Sequence, residues 1–229
     1  MTVYAFAPPP PVTARIAGSD ALFPVRRIYC VGRNYAAHAR EMGCDPDREP
    51  PFFFGKPADS LLPETTAVPF PSATADFHHE VEMVVALGRG GRDIPVAEAA
   101  DSVFGYGIGI DWTRRDLQAE AKSQGKPWDA AKGFDRSATL GPLHPVAAVG
   151  HPARGRIWLA VNGALRQDAD LSTLIWSVPE VISALSRLFE VRPGDLIYTG
   201  TPAGVGAVRP GDRITGGIEG LGEISTSVV

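Results

Sequence analysis

Residues 77–88, FHHEVEMVVALG, are the stretch that decides the fold. The first half alternates in character, and the second half is continuously apolar. This pattern predicts one β-strand that runs from an open cleft into a core covered on both faces. Because successive side chains of a strand point to opposite faces, we expect Glu80 and Glu82 to share one face, with Val81 on the other.

Two carboxylates on one face of a strand need either solvent or a cation. In an enclosed cleft they would repel each other and raise each other's pKa, unless a hard divalent cation with oxygen ligands neutralised them. A solvent-facing strand is the alternative, although the apolar run MVVAL follows directly. The local pattern leaves both interpretations open.

Asp111 is a third candidate ligand, at the end of the glycine-rich strand predicted over residues 102–111, SVFGYGIGID. A helix is predicted from about Thr113 to Ser123, so Asp111 also suits an N-terminal cap. Three carboxylates without cysteine favour Mg²⁺ or Mn²⁺ over structural Zn²⁺. A dinucleotide-binding loop is excluded, because Trp112 replaces the third glycine of the GxGxxG pattern.

Basic and polar residues follow Asp111. Arg115 and Gln118 lie three residues apart on the predicted helix, so they are neighbours on one face and both can reach a bound anion. Lys132, in the segment DAAKGF, is predicted to lie in a loop after that helix. A lysine in such a loop is usually a solvated surface charge.

A second pair of titratable residues lies on the short helix predicted for NYAAHAREMG, which Gly43 is expected to end. His38 and Glu41 are at positions i and i+3, so imidazole and carboxylate can hydrogen-bond. The carboxylate would orient the ring while its free nitrogen takes a proton from water. The alternative is a solvated salt bridge on a helix surface.

Composition favours a strand-rich fold. The 229 residues include 44% hydrophobic residues, 25 Gly and 21 Pro, so the chain can bury a full core but has frequent breaks and few long helices. We predict an α+β, β-rich fold with several short helices. Residues 1–24 are interpreted as an irregular, Pro-rich appendage, and residues 25–229 as one catalytic domain.

Charge and apolar patterning exclude several partners. A net charge of −4 leaves no basic surface for nucleic acid or anionic membrane, and no apolar run is long enough to span a bilayer. The N-terminus lacks the charged and apolar regions of a signal peptide. We therefore expect a cytoplasmic protein, with no nucleic acid or membrane partner, in which Cys30 and Cys44 stay reduced.

The remaining elements follow from periodicity and turn residues. Strands are predicted at 27–34 and 51–57, around the turn Asn162–Gly163, and in DLIYTG, DRITGGIE and GEISTSVV near the C-terminus. Residues 58–76 are expected to meander, and residues 96–101 to form a helical turn. Residues 178–191 carry the spacing of a helix with one buried face, formed by Val178, Val181, Ile182, Leu185, Leu188 and Phe189.

Taken together, six segments resemble the fumarylacetoacetate hydrolase family, in the family's order and at similar spacing, from about Arg27 to the C-terminus. They are YCVGRNYAAHAREM, PFFFGKPADS, HHEVEMVVALG, GYGIGIDWTRRDLQ, GKPWDAAKGFD and GDLIYTGTPAGVG. The resemblance implies a mixed β-sandwich-like roll with short peripheral helices, assembled as a homodimer.

The resemblance also implies roles for individual residues. Glu80, Glu82 and Asp111 would bind Mg²⁺ or Mn²⁺, and His38 and Glu41 would activate water on a helix that closes as a lid. The residues implied to contact the substrate are Lys56, Arg115, Gln118, Thr201 and Lys132, and the last of these would also stabilise enolate charge. Arg33 or Arg40 is our candidate for the carboxylate at the far end of the substrate.

The implied reaction is hydrolysis of the carbon–carbon bond of an acylpyruvate. The segments PFFFGKPADS and DLIYTGTPAGVGAV are most similar to bacterial members that convert fumarylpyruvate to fumarate and pyruvate in gentisate breakdown. Oxaloacetate decarboxylation and isomerisation of a hydroxydienedioate are the alternatives on the same scaffold. A non-catalytic binding module would not need the His38–Glu41 pair.

Overall fold

The computed structural model describes residues 2–41 and 49–229. The N-terminal half contains nine strands: β1 (Thr13–Arg15), β2 (Leu22–Pro24), β3 (Arg27–Gly32), β4 (Phe52–Lys56), β5 (Leu61–Pro63), β6 (Phe77–His79), β7 (Val81–Leu87), β8 (Val103–Asp111) and β9 (Thr113–Arg114). Eight more follow within the described residues: β10 (Ala138–Leu140), β11 (His144–Pro145), β12 (Arg156–Val161), β13 (Ala164–Asp170), β14 (Asp195–Tyr198), β15 (Gly206–Ala207), β16 (Arg213–Ile218) and β17 (Gly222–Ser227).

Short helices connect the strands. They are α1 (Ala36–Glu41), α2 (Val96–Ala99), α3 (Arg115–Ser123), α4 (Asp129–Lys132), α5 (Val146–Val149) and α6 (Val178–Leu188), with 3₁₀ turns at Ala58–Ser60, Ala100–Ser102 and Leu171–Thr173. The prediction of a β-rich α+β fold with short peripheral helices is therefore confirmed. None of the described helices is long and apolar enough to cross a bilayer.

The largest sheet is mixed and has the strand order β4-β3-β14-β7-β8-β10-β5, with β11 also pairing with β8. A second sheet has the order β13-β12-β16-β17, and a small third sheet the order β15-β6-β9. Strand β7 is central in the largest sheet and is buried along its whole length. The continuous apolar run that follows Glu82 is explained by this position, because both faces of β7 are covered.

Two apolar clusters cover the two faces of β7. One contains Met83 and Val85 together with residues of β12, β16 and α6, and the other contains Val84 and Ala86 together with residues of β3 and the β1–β2 hairpin. That hairpin corrects the interpretation of residues 1–24 as irregular. Its strands pair antiparallel, and Phe23 is buried in the second cluster, because one face of the large sheet would otherwise be exposed.

The strand predicted over residues 77–88 is two strands rather than one. Residues 77–79 pair with β9 and β15, whereas β7 pairs with β8 and β14, and the chain changes sheet at Glu80. The helix predicted from Thr113 begins at Arg115, because Thr113 and Arg114 form β9. The segment 58–76 contains β5, which pairs parallel with β10, so it does not simply meander.

The predicted turn at Asn162–Gly163 and the start of helix α6 lie where the sequence placed them. The hairpin at Asn162–Gly163 forms between β12 and β13, with both turn residues at positive φ (51° and 79°), as a tight primed turn requires. Helix α6 ends at Leu188, and both Leu188 and Phe189 are exposed, so the predicted apolar face was too long by one turn. The expected helix end at Gly43 and the residue Cys44 lie outside the described residues.

Candidate active site

Three acidic side chains meet at the point where the chain changes sheet. Glu80 lies between β6 and β7, Glu82 lies in β7, and Asp111 is the last residue of β8. The antiparallel register brings them together, because the Asp111 backbone N–H donates to the Glu80 carbonyl at 2.8 Å. One oxygen from each carboxylate lies within 4.8 Å of the others, and all three residues are buried.

Neither alternative interpretation of these acids holds. Glu80 and Glu82 are only 4% and 2% exposed, which excludes a solvent-facing strand. Helix α3 begins four residues after Asp111, with Arg114 at the capping position, so Asp111 does not cap it. The charges must therefore be balanced inside the protein.

Three cationic side chains surround the acidic cluster. Lys132 Nζ lies 2.6 Å from Glu80 Oε2 and 2.8 Å from Asp111 Oδ2. Lys56 Nζ lies 2.8 Å from Asp111 Oδ1, and Arg115 Nη2 lies 2.5 Å from Glu80 Oε1. The expectation from local context alone, a solvated surface charge in a loop, is wrong for Lys132, because this residue is the last of α4 and its side chain lies inside the protein, at 2% exposure.

The pKa of Glu80 and the pKa of Glu82 are shifted in opposite directions. Burial raises the pKa of Glu80, but Lys132 and Arg115 outweigh that effect and leave the pKa below its ordinary value. Burial, Asp111 and Glu80 together hold the pKa of Glu82 well above its ordinary range. Glu82 accepts a hydrogen bond from the Gly200 N–H at 2.7 Å and forms no ion pair within 4.0 Å among the described residues.

A divalent cation fits this donor set. Three buried carboxylate oxygens within reach of one another are hard ligands of the kind that Mg²⁺ and Mn²⁺ prefer. The unpaired charge of Glu82 is the one that a cation would neutralise. Gly200, whose N–H holds the Glu82 carboxylate, has a φ of +98°. A side chain at position 200 would collide with Asn34.

The acids form the floor of a cavity of about 450 Å³. Nine of the predicted site residues line it, namely Arg33, His38, Glu80, Glu82, Asp111, Arg115, Gln118, Lys132 and Thr201. The two remaining predicted residues, Glu41 and Lys56, are not among its lining residues and lie directly behind ones that are. Lys56 is fully enclosed against Asp111, where it also donates to the carbonyls of Trp112 and Lys132.

The His38–Glu41 pair forms with His38 facing the cavity. His38 Nδ1 lies 3.0 Å from Glu41 Oε2; the His38 side chain is 8% exposed and lines the cavity, whereas the Glu41 side chain is 35% exposed, so the histidine is the buried half of the pair. Glu41 also accepts the Gly204 N–H at 3.1 Å, which fastens α1 to the segment after β14. Since Nδ1 is engaged with Glu41, Nε2 is the ring nitrogen that can accept a proton from water.

Polar groups that can hold an anion surround the acidic floor. Arg115 Nη1 donates to Gln118 Oε1 at 2.5 Å, so the two residues that share a face of α3 act as a unit. Thr201 also lines the cavity, and its hydroxyl donates to the Val81 carbonyl at 2.8 Å. Arg33 has φ +59°, an uncommon conformation for a residue with a side chain, whereas Arg40 is exposed and is not a lining residue.

An apolar wall beside the charged groups was not identified from the sequence. Phe54 of β4 and Trp128, which precedes α4, both line the cavity with their ring centroids 5.7 Å apart. Lys132 Nζ lies 5.3 Å from the Phe54 ring centroid, so the wall begins next to the acidic floor. Phe54 and Trp128 lie in segments that carry the family resemblance, PFFFGKPADS and GKPWDAAKGFD, but only the fold brings the two rings together.

A buried glutamine was also missed. Gln167 of β13 is fully buried and hydrogen-bonds to His79, Val81 and Thr201 beside the acidic cluster. Burial lowers the pKa of His79 to about 4, so His79 is neutral at physiological pH. The sequence signal for Gln167 was weak, because it lies among exposed residues of an edge strand.

Comparison with known proteins agrees with this geometry. Residues 27–229 match the family described as fumarylacetoacetate (FAA) hydrolase C-terminal. The structure of fumarylpyruvate hydrolase from Pseudomonas aeruginosa, in complex with Mn²⁺ and pyruvate, is 56% identical, with a TM-score of 0.97 over 99% of both chains. A putative fumarylpyruvate hydrolase from Burkholderia cenocepacia is 54% identical, with a TM-score of 0.93 over 99% of this chain and 98% of that one.

A second group of relatives has a different activity in its name. Oxaloacetate tautomerase FAHD1, mitochondrial, from Rattus norvegicus is 44% identical over 196 residues, which are 86% of this chain and 88% of the relative.

Proposed function

Since the chain belongs to the fumarylacetoacetate hydrolase family, we propose that it is a divalent-metal-dependent hydrolase that cleaves the carbon–carbon bond of an acylpyruvate, with fumarylpyruvate as its substrate. The observation that carries this proposal is the His38–Glu41 pair, whose histidine lines the same cavity as the acidic cluster. A base held beside the metal site can activate water for hydrolysis, which favours this reaction without excluding a proton transfer on the substrate by the same base.

Glu80, Glu82 and Asp111 would hold the metal, as Mg²⁺ or Mn²⁺. The buried oxygen ligands support this assignment, as does the Mn²⁺ in the 56% identical fumarylpyruvate hydrolase. When bound, the cation supplies positive charge that polarises the 2-oxo acid and stabilises the negative charge that develops on it.

His38 would activate the water. Glu41 accepts a hydrogen bond from the Nδ1–H and orients the ring, so that Nε2 takes a proton from water and the hydroxyl adds to the carbonyl of the acyl group. The bond between that carbon and C3 of the pyruvoyl group then breaks, and its electron pair stays on C3. A proton delivered to C3 completes the reaction, which converts fumarylpyruvate and water to fumarate and pyruvate.

The cationic residues would bind the pyruvoyl end. The Arg115–Gln118 unit lines the cavity beside the acids and can hold its carboxylate, whereas Thr201 lines the cavity with its hydroxyl proton donated to the Val81 carbonyl. Acidic neighbours outweigh the effect of burial and raise the pKa of Lys132, so this ammonium stays charged and can stabilise a developing enolate. Lys56 would act on Asp111 rather than on the substrate, because it is enclosed behind that residue.

The acyl end would extend along the apolar wall. Phe54 and Trp128 present aromatic rings that suit a planar, conjugated fumaryl group. Arg33 lines the cavity and can pair with the distal carboxylate, whereas Arg40 is placed outside it. Homodimeric assembly, a cytoplasmic location and a role in aromatic catabolism belong to the same proposal and rest on the resemblance to the bacterial fumarylpyruvate hydrolases.

Oxaloacetate tautomerisation is the second candidate, because a relative with that name is 44% identical. This reaction moves one proton between oxygen and C3 and breaks no carbon–carbon bond. It would use the metal and Lys132 but not an activated water. Oxaloacetate decarboxylation and hydroxydienedioate isomerisation also lack a water-addition step.

A direct comparison of substrates tests the proposal. The metal-stripped enzyme is supplied with Mn²⁺ and given fumarylpyruvate or oxaloacetate, and fumarate, pyruvate and the enol form of oxaloacetate are followed. We expect stoichiometric fumarate and pyruvate, loss of turnover in chelator, and a higher kcat/KM for fumarylpyruvate. Rapid loss of the oxaloacetate enol without acylpyruvate cleavage would favour the tautomerase instead.

A further inference from the structure

Gln167 is an unusual residue for its position in the fold. Strand β13 lies at the edge of its sheet, and the residues on either side, Arg166 and Asp168, are exposed. Gln167 is nevertheless fully buried. An uncharged amide in such a place is stable only when its donors and acceptors are satisfied inside the protein.

The side-chain amide of Gln167 has two hydrogen-bond partners on its oxygen and two on its nitrogen. Its oxygen accepts the Val81 backbone N–H at 3.1 Å and pairs with His79 Nδ1 at 3.0 Å. Its nitrogen donates to Thr201 Oγ1 at 2.7 Å and to the Pro202 carbonyl at 2.8 Å. A backbone donor at one end and a backbone acceptor at the other fix the orientation of the amide.

Two side chains, Gln167 and Thr201, satisfy backbone groups of Val81 that a neighbouring strand would otherwise satisfy. Strand β14 pairs with β7 only from Val84 to Ala86 and ends at Tyr198, so the outward-facing backbone groups of Val81 have no ladder partner there. The Val81 N–H is taken by Gln167, and the Val81 carbonyl accepts the Thr201 hydroxyl at 2.8 Å. Val81 is the residue between Glu80 and Glu82, so these bonds fix the backbone that carries two of the three acids.

The same amide reaches the water-activating pair. Gln167 holds the Pro202 carbonyl, and two residues later the Gly204 N–H donates to Glu41 at 3.1 Å. A side chain at Gly204 would collide with the Arg166 carbonyl, so β13 and the 201–204 segment lie in direct contact. One side chain from the second sheet thus connects the acidic cluster and the His38–Glu41 pair.

We infer that Gln167 is the positioning residue of the metal centre, which sets the spacing of Glu80 and Glu82 through the backbone of Val81. This inference rests on the proposed metal site. It assigns Gln167 no contact with metal or substrate. Its loss should therefore weaken metal binding in a protein that remains folded.

The test is the affinity for Mn²⁺, measured by calorimetry on folded protein, with circular dichroism and Tm recorded alongside. Gln167→Met removes the amide at similar length, and Gln167→Asn keeps the amide but shortens its reach. We expect both to bind Mn²⁺ about tenfold more weakly or worse, which corresponds to about 1.4 kcal/mol. If the Met variant does not fold, the Asn variant decides.

Ser186→Ala is the matched control. Ser186 is a buried polar residue that accepts the Ile94 N–H and donates to the Ser183 carbonyl, and it does not line the cavity. It should lower Tm and leave Mn²⁺ affinity unchanged. Wild-type affinity in a folded Gln167 variant, or a loss no larger than that of Ser186→Ala, would overturn the inference. Absence of Mn²⁺ binding by the wild-type protein would instead refute the metal site itself.

Discussion

Replacing Lys56 with methionine removes a cation that is buried behind the acidic cluster. Its ammonium lies 2.8 Å from Asp111 Oδ1, and its side chain is 0% exposed. Methionine has similar length and no charge, so it can fill the space without replacing the ion pair. We expect a less stable protein whose stability responds more strongly to metal.

The magnitude follows from what remains around Asp111. Removing one partner of a buried ion pair costs about 3–5 kcal/mol. Lys132 still lies 2.8 Å from the other oxygen of Asp111, so the lower end of that range applies. For a protein of this size, a loss of about 3 kcal/mol lowers Tm by about 6–12 °C.

Metal should offset part of this loss. Without Lys56 the acidic cluster carries one more uncompensated negative charge, so the gain in Tm on addition of Mn²⁺ should be larger in Lys56→Met than in wild type. Thermal unfolding of both proteins, with chelator and with Mn²⁺, measures both effects. Lys126→Met is the control, since Lys126 is exposed. A Tm equal to that of the control, or a smaller response to Mn²⁺ than wild type, would refute the reasoning.

Three further predictions concern the metal, the base and the apolar wall. Glu82→Gln should raise the Tm of the metal-free protein, because it removes a buried carboxyl group whose pKa is raised. It should also abolish the rise in Tm that Mn²⁺ causes, and an unchanged response to Mn²⁺ would contradict the ligand assignment. In a steady-state assay, His38→Gln should lower kcat on the order of a hundredfold while the affinity for Mn²⁺ stays unchanged. The control His151→Gln, which replaces an exposed histidine, should leave kcat unchanged. Trp128→Leu should reduce kcat/KM for fumarylpyruvate relative to acetylpyruvate by about two- to tenfold, and Phe53→Leu, whose side chain does not line the cavity, should not change that ratio.

Local spacing predicted those parts of the site that depend on one element. Positions i and i+3 of a helix placed His38 next to Glu41, and the two-residue alternation of an extended chain placed Glu80 and Glu82 together even though Glu80 lies between β6 and β7. These geometries hold wherever the element lies in the fold. The family resemblance then related Asp111 to the two glutamates, which spacing alone could not do.

Long-range packing decided what the sequence did not predict. The break at Glu80 exists because residues 77–79 find partners in β9 and β15, and local alternation is the same for a strand that changes sheets. Lys132 looked like a surface lysine because its environment is created by acids 21 and 52 residues away. Gln167 is buried by the 201–204 segment, which no local pattern around β13 reveals.

The central claim is that water is added across the carbon–carbon bond of fumarylpyruvate, and isotope incorporation tests it most directly. The reaction is run with Mn²⁺ in ¹⁸O-labelled water, and the fumarate formed is analysed by mass spectrometry. We expect one labelled oxygen in each fumarate, pyruvate in equal amount, and a steep fall in both products with His38→Gln. Conversion of the substrate without release of labelled fumarate would contradict the hydrolase account.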